Sequence, residues 1–237
     1  MDQRTVFRNS LRYSFRRSIP IMIGFFPVGL AYGILMQNAG YNALWSGLCS
    51  LFVFAGSLQM LMVTFFADAL PLITVIVMAA LLNSRHIFYG LSFIEKFRGY
   101  GPWRWFLIYG LTDENYSLLC SYKPEDGVDE KTVHILSTAL TWLYWILFAA
   151  FGGIVGQLIP FDTTGIDFAL TGLFVVILID QIRGADNRWP AVISMVSGIV
   201  CILLFGAKNF LLPSLLITVA ALLLLRGSFD RKEEITV

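Results

Sequence analysis

The sequence predicts an all-α, polytopic transmembrane helical bundle of about eight spans, some of them broken or re-entrant. Three observations lead there. Hydrophobic residues make up 57% of the 237 and charged residues 14%, against about a half and a quarter in soluble domains. The apolar residues come in blocks of about 20, the length a helix needs to cross a hydrocarbon core about 30 Å thick. The linkers are short, and the longest polar one, Ser121 to His134, is too small to fold as a domain.

The blocks run 19–36, 44–66, 71–94, 103–121, 135–158, 164–181, 188–206 and 209–226. The expected plan is an amphipathic cytoplasmic segment over 1–18, one membrane domain over 19–226 and a cytoplasmic tail over 227–237. The basic start followed by an apolar run resembles a signal peptide, but the run is near twenty residues long and no small-residue cleavage pattern follows, so the first span is expected to be retained.

Orientation follows from where Lys and Arg lie, not from the net charge of +1. Arg4, Arg8, Arg12, Arg16 and Arg17 precede the first block. Eight crossings from a cytoplasmic N-terminus leave twelve basic residues inside and four outside, with Arg85 within a span. Both termini are then expected on the cytoplasmic side of a multi-pass protein. Lys96, Arg98 and Arg104 fall on the wrong side, so that segment is an exception or one apolar block between 19 and 94 does not cross simply. The spacing of Arg4, Arg8, Arg12 and Arg16 puts them on one helical face beside Phe7, Leu11 and Phe15, the pattern of a helix lying on an anionic leaflet.

Polar residues inside a span are costly, so they carry the functional information. Three clusters stand out: Gly56-Ser57-Leu58-Gln59, Asn83-Ser84-Arg85-His86 with Tyr89, and Thr112-Asp113-Glu114-Asn115-Tyr116. The helical rise of about 1.5 Å per residue places all three near mid-membrane, on consecutive segments that can share an interior. Arg85, Asp113 and Glu114 facing lipid singly would together oppose insertion by about 8 to 10 kcal/mol, so they are expected to pair or to line a wet cavity. One acid neutralises Arg85; the other is left to bind a cation, to hold a coupling proton or simply to sit protonated. A buried ion pair that only fixes packing is the bland alternative.

Other features have plainer readings. Pro27 removes a helical hydrogen bond and kinks or breaks the first span, either lining a site or standing beside a Gly29 and Gly33 packing face matched by Gly152 and Gly156. Trp103, Trp105, Trp142, Trp145 and Trp189 read as interfacial aromatics. His134, Asp68 and Asp180 read as solvated or interfacial, and Cys49, Cys120 and Cys201 as small packing residues. No phosphate-loop, zinc-hydrolase or nucleophile-elbow motif occurs, so no cofactor is expected. An intramembrane enzyme built on His86, Asp113, Glu114 and Ser57 or Ser84 lacks an orienting third group.

At these same motifs the sequence resembles the AzlC family, the large subunits of bacterial branched-chain amino acid exporters. The likeness extends roughly from Ser18 to Arg226 and is sharpest at Phe54-Ala55-Gly56-Ser57-Leu58-Gln59, Asn83-Ser84-Arg85-His86-Ile87-Phe88-Tyr89 and Leu111-Thr112-Asp113-Glu114-Asn115-Tyr116. It implies a secondary-type exporter of leucine, isoleucine and valine, with methionine a further candidate, working with a small AzlD-type membrane subunit and no ATPase domain. The expected substrate site is Gly56, Ser57, Gln59, Asn83, Arg85, Tyr89, Asp113 and Tyr116, with His86 and Glu114 for proton coupling; no metal is expected. A small-ion or osmolyte channel and a non-transporting scaffold subunit remain the alternatives.

Overall fold

The computed structural model describes residues 3–67, 69–158, 175, 179, 182 and 189–233. Among them lie ten helices: α1 (Gln3–Asn38), α2 (Ala43–Phe52), α3 (Gly56–Ala67), α4 (Leu72–Asn83), α5 (Arg85–Arg98), α6 (Trp103–Tyr109), α7 (Asp113–Cys120), α8 (Glu130–Leu158), α9 (Trp189–Asn209) and α10 (Leu211–Glu233). The block expected at 164–181 lies outside the described residues apart from Val175 and Ile179, as do Asp68 and Asp180. The chain divides into two compact units, Met1–Leu70 with Leu82–Leu170, and Pro71–Leu81 with Thr171–Val237.

The first unit is organised on α1 and α8, which run parallel. Ser14 Oγ bonds to Val133 O at 3.3 Å, and nineteen residues further along both helices Gly33 meets Gly152 and Gly153. Glycine sets the distance between them. A Cβ at Gly33 would collide with Ala149 O and Gly153 N, one at Gly152 with Leu30 O, and one at Gly156 would sit 3.2 Å from Ile34 Cα. Backbone cannot yield as a side chain can, so the small-residue face is required for this approach. Pro20 and Pro27 both lie inside α1, yet the helix runs on through them. The break expected at Pro27 is absent, because one lost bond in a helix packed along its length is tolerated. Residues 3–18 are the first turns of this same helix. Their buried face is Ser10, Ser14 and Ser18, while Phe7, Leu11 and Phe15 are exposed.

Three blocks read as single spans are each divided at a polar motif. Block 44–66 is α2 and α3, broken at 53–55; block 71–94 is α4 and α5, broken at Ser84; block 103–121 is α6 and α7, broken at 110–112. Two of these pairs fold back. Helix α2 runs antiparallel to α8, from Ala43 beside Gly153 to Leu51, whose carbonyl accepts from Trp142 Nε1. Helix α3 then returns, and Phe66 packs on Tyr41 at 4.9 Å between centroids. The α6–α7 pair does the same from the other end. Before it, Tyr100 OH lies 3.2 Å from His134 Nδ1; after it, Tyr122 packs on His134 and Arg17 donates to Ser121 O. Arms of 7 to 12 residues span about 10 to 18 Å, half a hydrocarbon core.

This corrects the placement of Lys96, Arg98 and Arg104. Lys96 Nζ pairs with Glu130 Oε1 at 2.6 Å, which brings the 96–104 segment to the same end as the five N-terminal arginines. Ten Lys and Arg of the first unit gather at this basic end, and none lies in the turns at the other, neutral end (38–43 and 67–70). His134 is also corrected: it is fully buried in the first turns of α8 among Phe93, Phe97, Tyr100 and Tyr122. Because α8 begins at Glu130, Trp142 and Trp145 lie in its middle; Trp145 is buried, while Trp103, Trp105 and Trp189 stay exposed.

In the second unit α9 and α10 pair through Ser197, whose Oγ lies 2.9 Å from Ser214 O and 2.8 Å from Thr218 Oγ1. Gly206, at φ 75°, interrupts the helical path of α9, a conformation open to glycine at no steric cost.

Two outcomes test this frame. Gly33→Leu should lower thermal stability in detergent by about 3 kcal/mol, whereas Gly24→Ala, with nothing within 4 Å of its Cβ position, should be neutral or stabilising by about 0.5 to 1 kcal/mol; tryptophan fluorescence melts distinguish them. Asp129 Oδ2 accepts from Thr132 N at 2.8 Å and Thr132 Oγ1 at 2.6 Å at the start of α8, and these bonds hold its carboxyl below the usual range. Asp129→Ala should cost about 1 kcal/mol at neutral pH. A depressed carboxyl contributes above its unfolded pKa, about 3.9, and loses that contribution as pH falls through the lower folded value. The wild type and variant should therefore converge in acid.

Candidate functional site

The sequence dictates the breaks locally. Thr112 caps α7, its hydroxyl accepting from Asn115 N at 3.4 Å, and Asp113 and Glu114 occupy the first turn, where carboxylates favour a helix N-terminus. A break in a low-dielectric interior frees carbonyls that must find donors. Gly110 O accepts from Asn115 Nδ2 at 2.7 Å, and the same amide reaches Thr138 Oγ1 at 2.9 Å. Leu51 O, at the end of α2, accepts from Tyr109 OH of the opposing hairpin and from Trp142 Nε1. The α6–α7 tip therefore completes the α2–α3 tip, and both rest on α8.

The N-termini of α3, α5 and α7 meet here around a cavity lined by Ala55, Gly56, Ser57, Asn83, Arg85, His86, Thr112, Asp113 and Glu114. Gly56 would place a Cβ 3.4 Å from the Trp145 ring. Trp145 lies 15 residues into the 29-residue α8, about 22 Å from its start, so the cavity sits at half depth.

Arg85 is its hub. Nη1 pairs with Asp113 Oδ2 at 2.6 Å, and Nη2 donates to Ser57 Oγ at 3.1 Å. Both charged side chains keep about a third of their surface, 30% and 34%. Arg85 Nε and Asp113 Oδ1 are buried without a hydrogen-bond partner, leaving one donor and one acceptor uncommitted. Glu114 is exposed and has no ion-pair partner among the described residues. His86 is held by Nδ1 at 3.2 Å from Asn83 O. The cavity measures about 30 Å³, room for one water, against at least about 300 Å³ in occupied ligand sites. No group of three His, Cys, Asp or Glu fit to hold a metal occurs among the described residues.

Seven of the ten expected residues, Gly56, Ser57, Asn83, Arg85, His86, Asp113 and Glu114, line this cavity. Tyr89 and Tyr116 lie outside the lining, stacked at 4.6 Å, and begin an aromatic column through Phe93, Phe97 and Tyr100 toward the basic end. Gln59 is fully buried elsewhere, giving Nε2 to Ser50 Oγ and accepting from Trp145 Nε1 at 2.7 Å. Thr112 and Ala55, which stand in the singled-out motifs but not in the expected site, also line it. A cap hydroxyl followed by two acids, the signature of a helix start, was the available signal for Thr112.

Such a build defines a multi-pass helical membrane protein with a polar site at half depth. The chain belongs to the AzlC family: the AzlC protein family model matches residues 20–159. It is 33% identical to the branched-chain amino acid transport protein AzlC of Bacillus subtilis (strain 168) over 98% of this chain and 92% of the relative. It is 34% identical to an uncharacterized membrane protein of Helicobacter pylori (strain ATCC 700392 / 26695) over 94% and 98%. The inner membrane protein YgaZ of Escherichia coli (strain K12) is 24% identical over 68% and 69%. These relatives are named for transport or membrane residence, not for an enzymatic activity. No solved structure matches. The matched 20–159 includes both hairpins and every residue of the cavity.

A double-mutant cycle tests the hub. Arg85→Gln and Asp113→Asn should each destabilise by about 1 to 3 kcal/mol, since each strands the other's charge. The double variant should lose less than the sum by more than about 1 kcal/mol. Additive losses in thermal melts would mean the pair does not form.

Proposed function

We propose that this chain is the large subunit of a secondary-type exporter of leucine, isoleucine and valine, with methionine a further substrate. The observation that carries the reading is the Arg85–Asp113 pair at 2.6 Å beside the unpaired Glu114. A zwitterionic amino acid offers the same two charges as that pair. Inserted between them, it gives its carboxylate to Arg85 and its ammonium to Asp113, so each protein charge exchanges one partner for another. The uncommitted Arg85 Nε and Asp113 Oδ1 supply a further donor and acceptor, and three helix N-termini favour the carboxylate. The Tyr89–Tyr116 stack and the Phe54–Tyr109 contact offer apolar surface to the side chain. One methylene is worth only about 1 to 3 kcal/mol in such a pocket, so several branched substrates are accepted.

A cavity of about 30 Å³ is a closed state, and loading requires a hairpin to withdraw. Helices α2–α3 cover the site from the neutral end and α6–α7 from the basic end, so the two hairpins serve as opposite gates. The basic end, with its ten Lys and Arg, faces the cytoplasm. That puts the N-terminus on the cytoplasmic side of an inner membrane, the side the eight-block reading also chose. Glu114, assisted by His86, carries the coupling proton, and a small AzlD-type subunit completes the assembly.

The test is efflux of labelled valine from preloaded proteoliposomes, with and without a small membrane subunit and a pH gradient. Asp113→Asn and Arg85→Gln should each lower flux at least about tenfold, the worth of one charge-assisted bond. Glu114→Gln should keep valine exchange but lose acceleration by the gradient. Full flux in the Asp113 and Arg85 variants would remove the site. Ion current without valine flux would make the protein a channel, and valine binding without flux under any condition would make it a scaffold.

A further inference from the structure

A second concave surface lies on the first unit, away from the polar site. Helices α5 and α6 flank a groove of about 460 Å³ lined by Ile87, Gly90, Leu91, Ile94, Phe97, Arg98, Arg104, Trp105 and Ile108. Its floor and walls are apolar. Leu91, Ile94, Trp105 and Ile108 are all exposed, and nothing approaches within 4 Å of a Cβ at Gly90. Both of its charges are positive and come from the last residue of α5 and the second of α6, at the basic end. The neighbouring Lys96 is already neutralised by Glu130. Arg98 and Arg104 have no acidic partner among the described residues, and the Arg104 guanidinium lies 4.8 Å over the Trp105 ring.

An apolar trough ending in two uncompensated guanidiniums is complementary to an amphiphile with an anionic head. We propose that this groove holds an anionic phospholipid of the leaflet at the basic end, its phosphate on Arg98 and Arg104 and one acyl chain along Leu91, Gly90 and Ile87. Guanidinium matches phosphate oxygens through paired N–H donors, and basic pockets between membrane helices at the cytoplasmic side are suited to such heads. The chain carries Arg85 two residues before Ile87, so the lipid braces the helix that holds the hub of the polar site.

The experiment uses the full chain in detergent, titrated with dioleoyl phosphatidylglycerol and, in parallel, with dioleoyl phosphatidylcholine or inorganic phosphate, reading melting temperature and lipid adducts by native mass spectrometry. Phosphatidylglycerol should raise the melting temperature and persist as a one-to-one adduct, while the other two should not. Arg98→Gln with Arg104→Gln should weaken the apparent affinity about thirtyfold, at roughly fivefold per arginine. Gly90→Leu fills the trough from a position free of protein contacts; it should abolish the adduct while the lipid-free protein melts no lower than the wild type. Equal stabilisation by inorganic phosphate would show a bare anion site. Unaltered lipid affinity in the arginine pair or in Gly90→Leu, or a trough occupied by a second copy or a small membrane protein, would overturn the proposal.

Discussion

The backbone groups set free where helices break inside a low-dielectric interior govern this structure. Each lost helical bond there leaves a carbonyl or amide that water does not reach, at a cost of several kcal/mol. Gly110 O and Leu51 O are such groups. Their donors come from Asn115 on α7, Tyr109 on α6 and Trp142 on α8. The tip of α2–α3 is thus completed by a residue of α6–α7, and both tips rest on α8. The α6–α7 tip is satisfied from within by Asn115, whereas Leu51 O of α2 draws its donors from α6 and α8, and these bonds hold the N-termini of α3, α5 and α7 around one point.

The α1–α8 frame holds the tips at half depth. Parallel packing of two membrane-crossing helices requires an odd number of crossings between them. With α2–α3 and α6–α7 each returning to the end from which it started, neither adds a crossing, and the chain makes an odd number between α1 and α8. It leaves the first unit at Leu70 beside the neutral end, and α5 finishes at the basic end. Every basic residue of the first unit except Arg85 then falls on one side, which the simple eight-crossing scheme did not achieve.

The helical class, the apolar blocks and the three polar motifs were legible because each rests on composition or local pattern. Their shared depth was legible too, since a rise per residue is enough to bring Gly56, Asn83 and Asp113 near mid-membrane, and all three line one cavity. That some blocks are broken or re-entrant was expected; which ones fold back was not legible. A hairpin of two half-length apolar helices has the same hydropathy as one full span, and the residues that separate the cases are single ones: a cap at Thr112, a glycine at 110, a serine at 84. Pro27, the strongest breaker within the first block, sits in an unbroken helix, because α1 is packed along its length against α8. Gln59 and His134 show the limit for polar residues. Gln59 shares a motif with the cavity yet bonds to Ser50 and Trp145, and His134 lies beside a charged linker yet is enclosed by aromatic rings. Sequence places a polar residue in a segment; only packing decides what it faces.

Arg85 binds both hairpins, and it binds them unequally. To α3 it gives one hydrogen bond, at Ser57; to α7 it gives an ion pair, at Asp113. A bond between a charged and a neutral group is worth about 1.5 to 3 kcal/mol, and separating the partly buried ion pair strands a charge on each side. On the proposed function, the empty protein therefore opens more readily at the neutral end, by release of α2–α3, than at the basic end. A bound amino acid reverses the balance, because its carboxylate and ammonium satisfy Arg85 and Asp113 separately and remove the cost of parting them. Release of α6–α7 is then coupled to occupancy, which suppresses empty openings toward the basic end. The asymmetry follows from one guanidinium placed between a hydroxyl and a carboxylate, and it is lost if the carboxylate is made an amide.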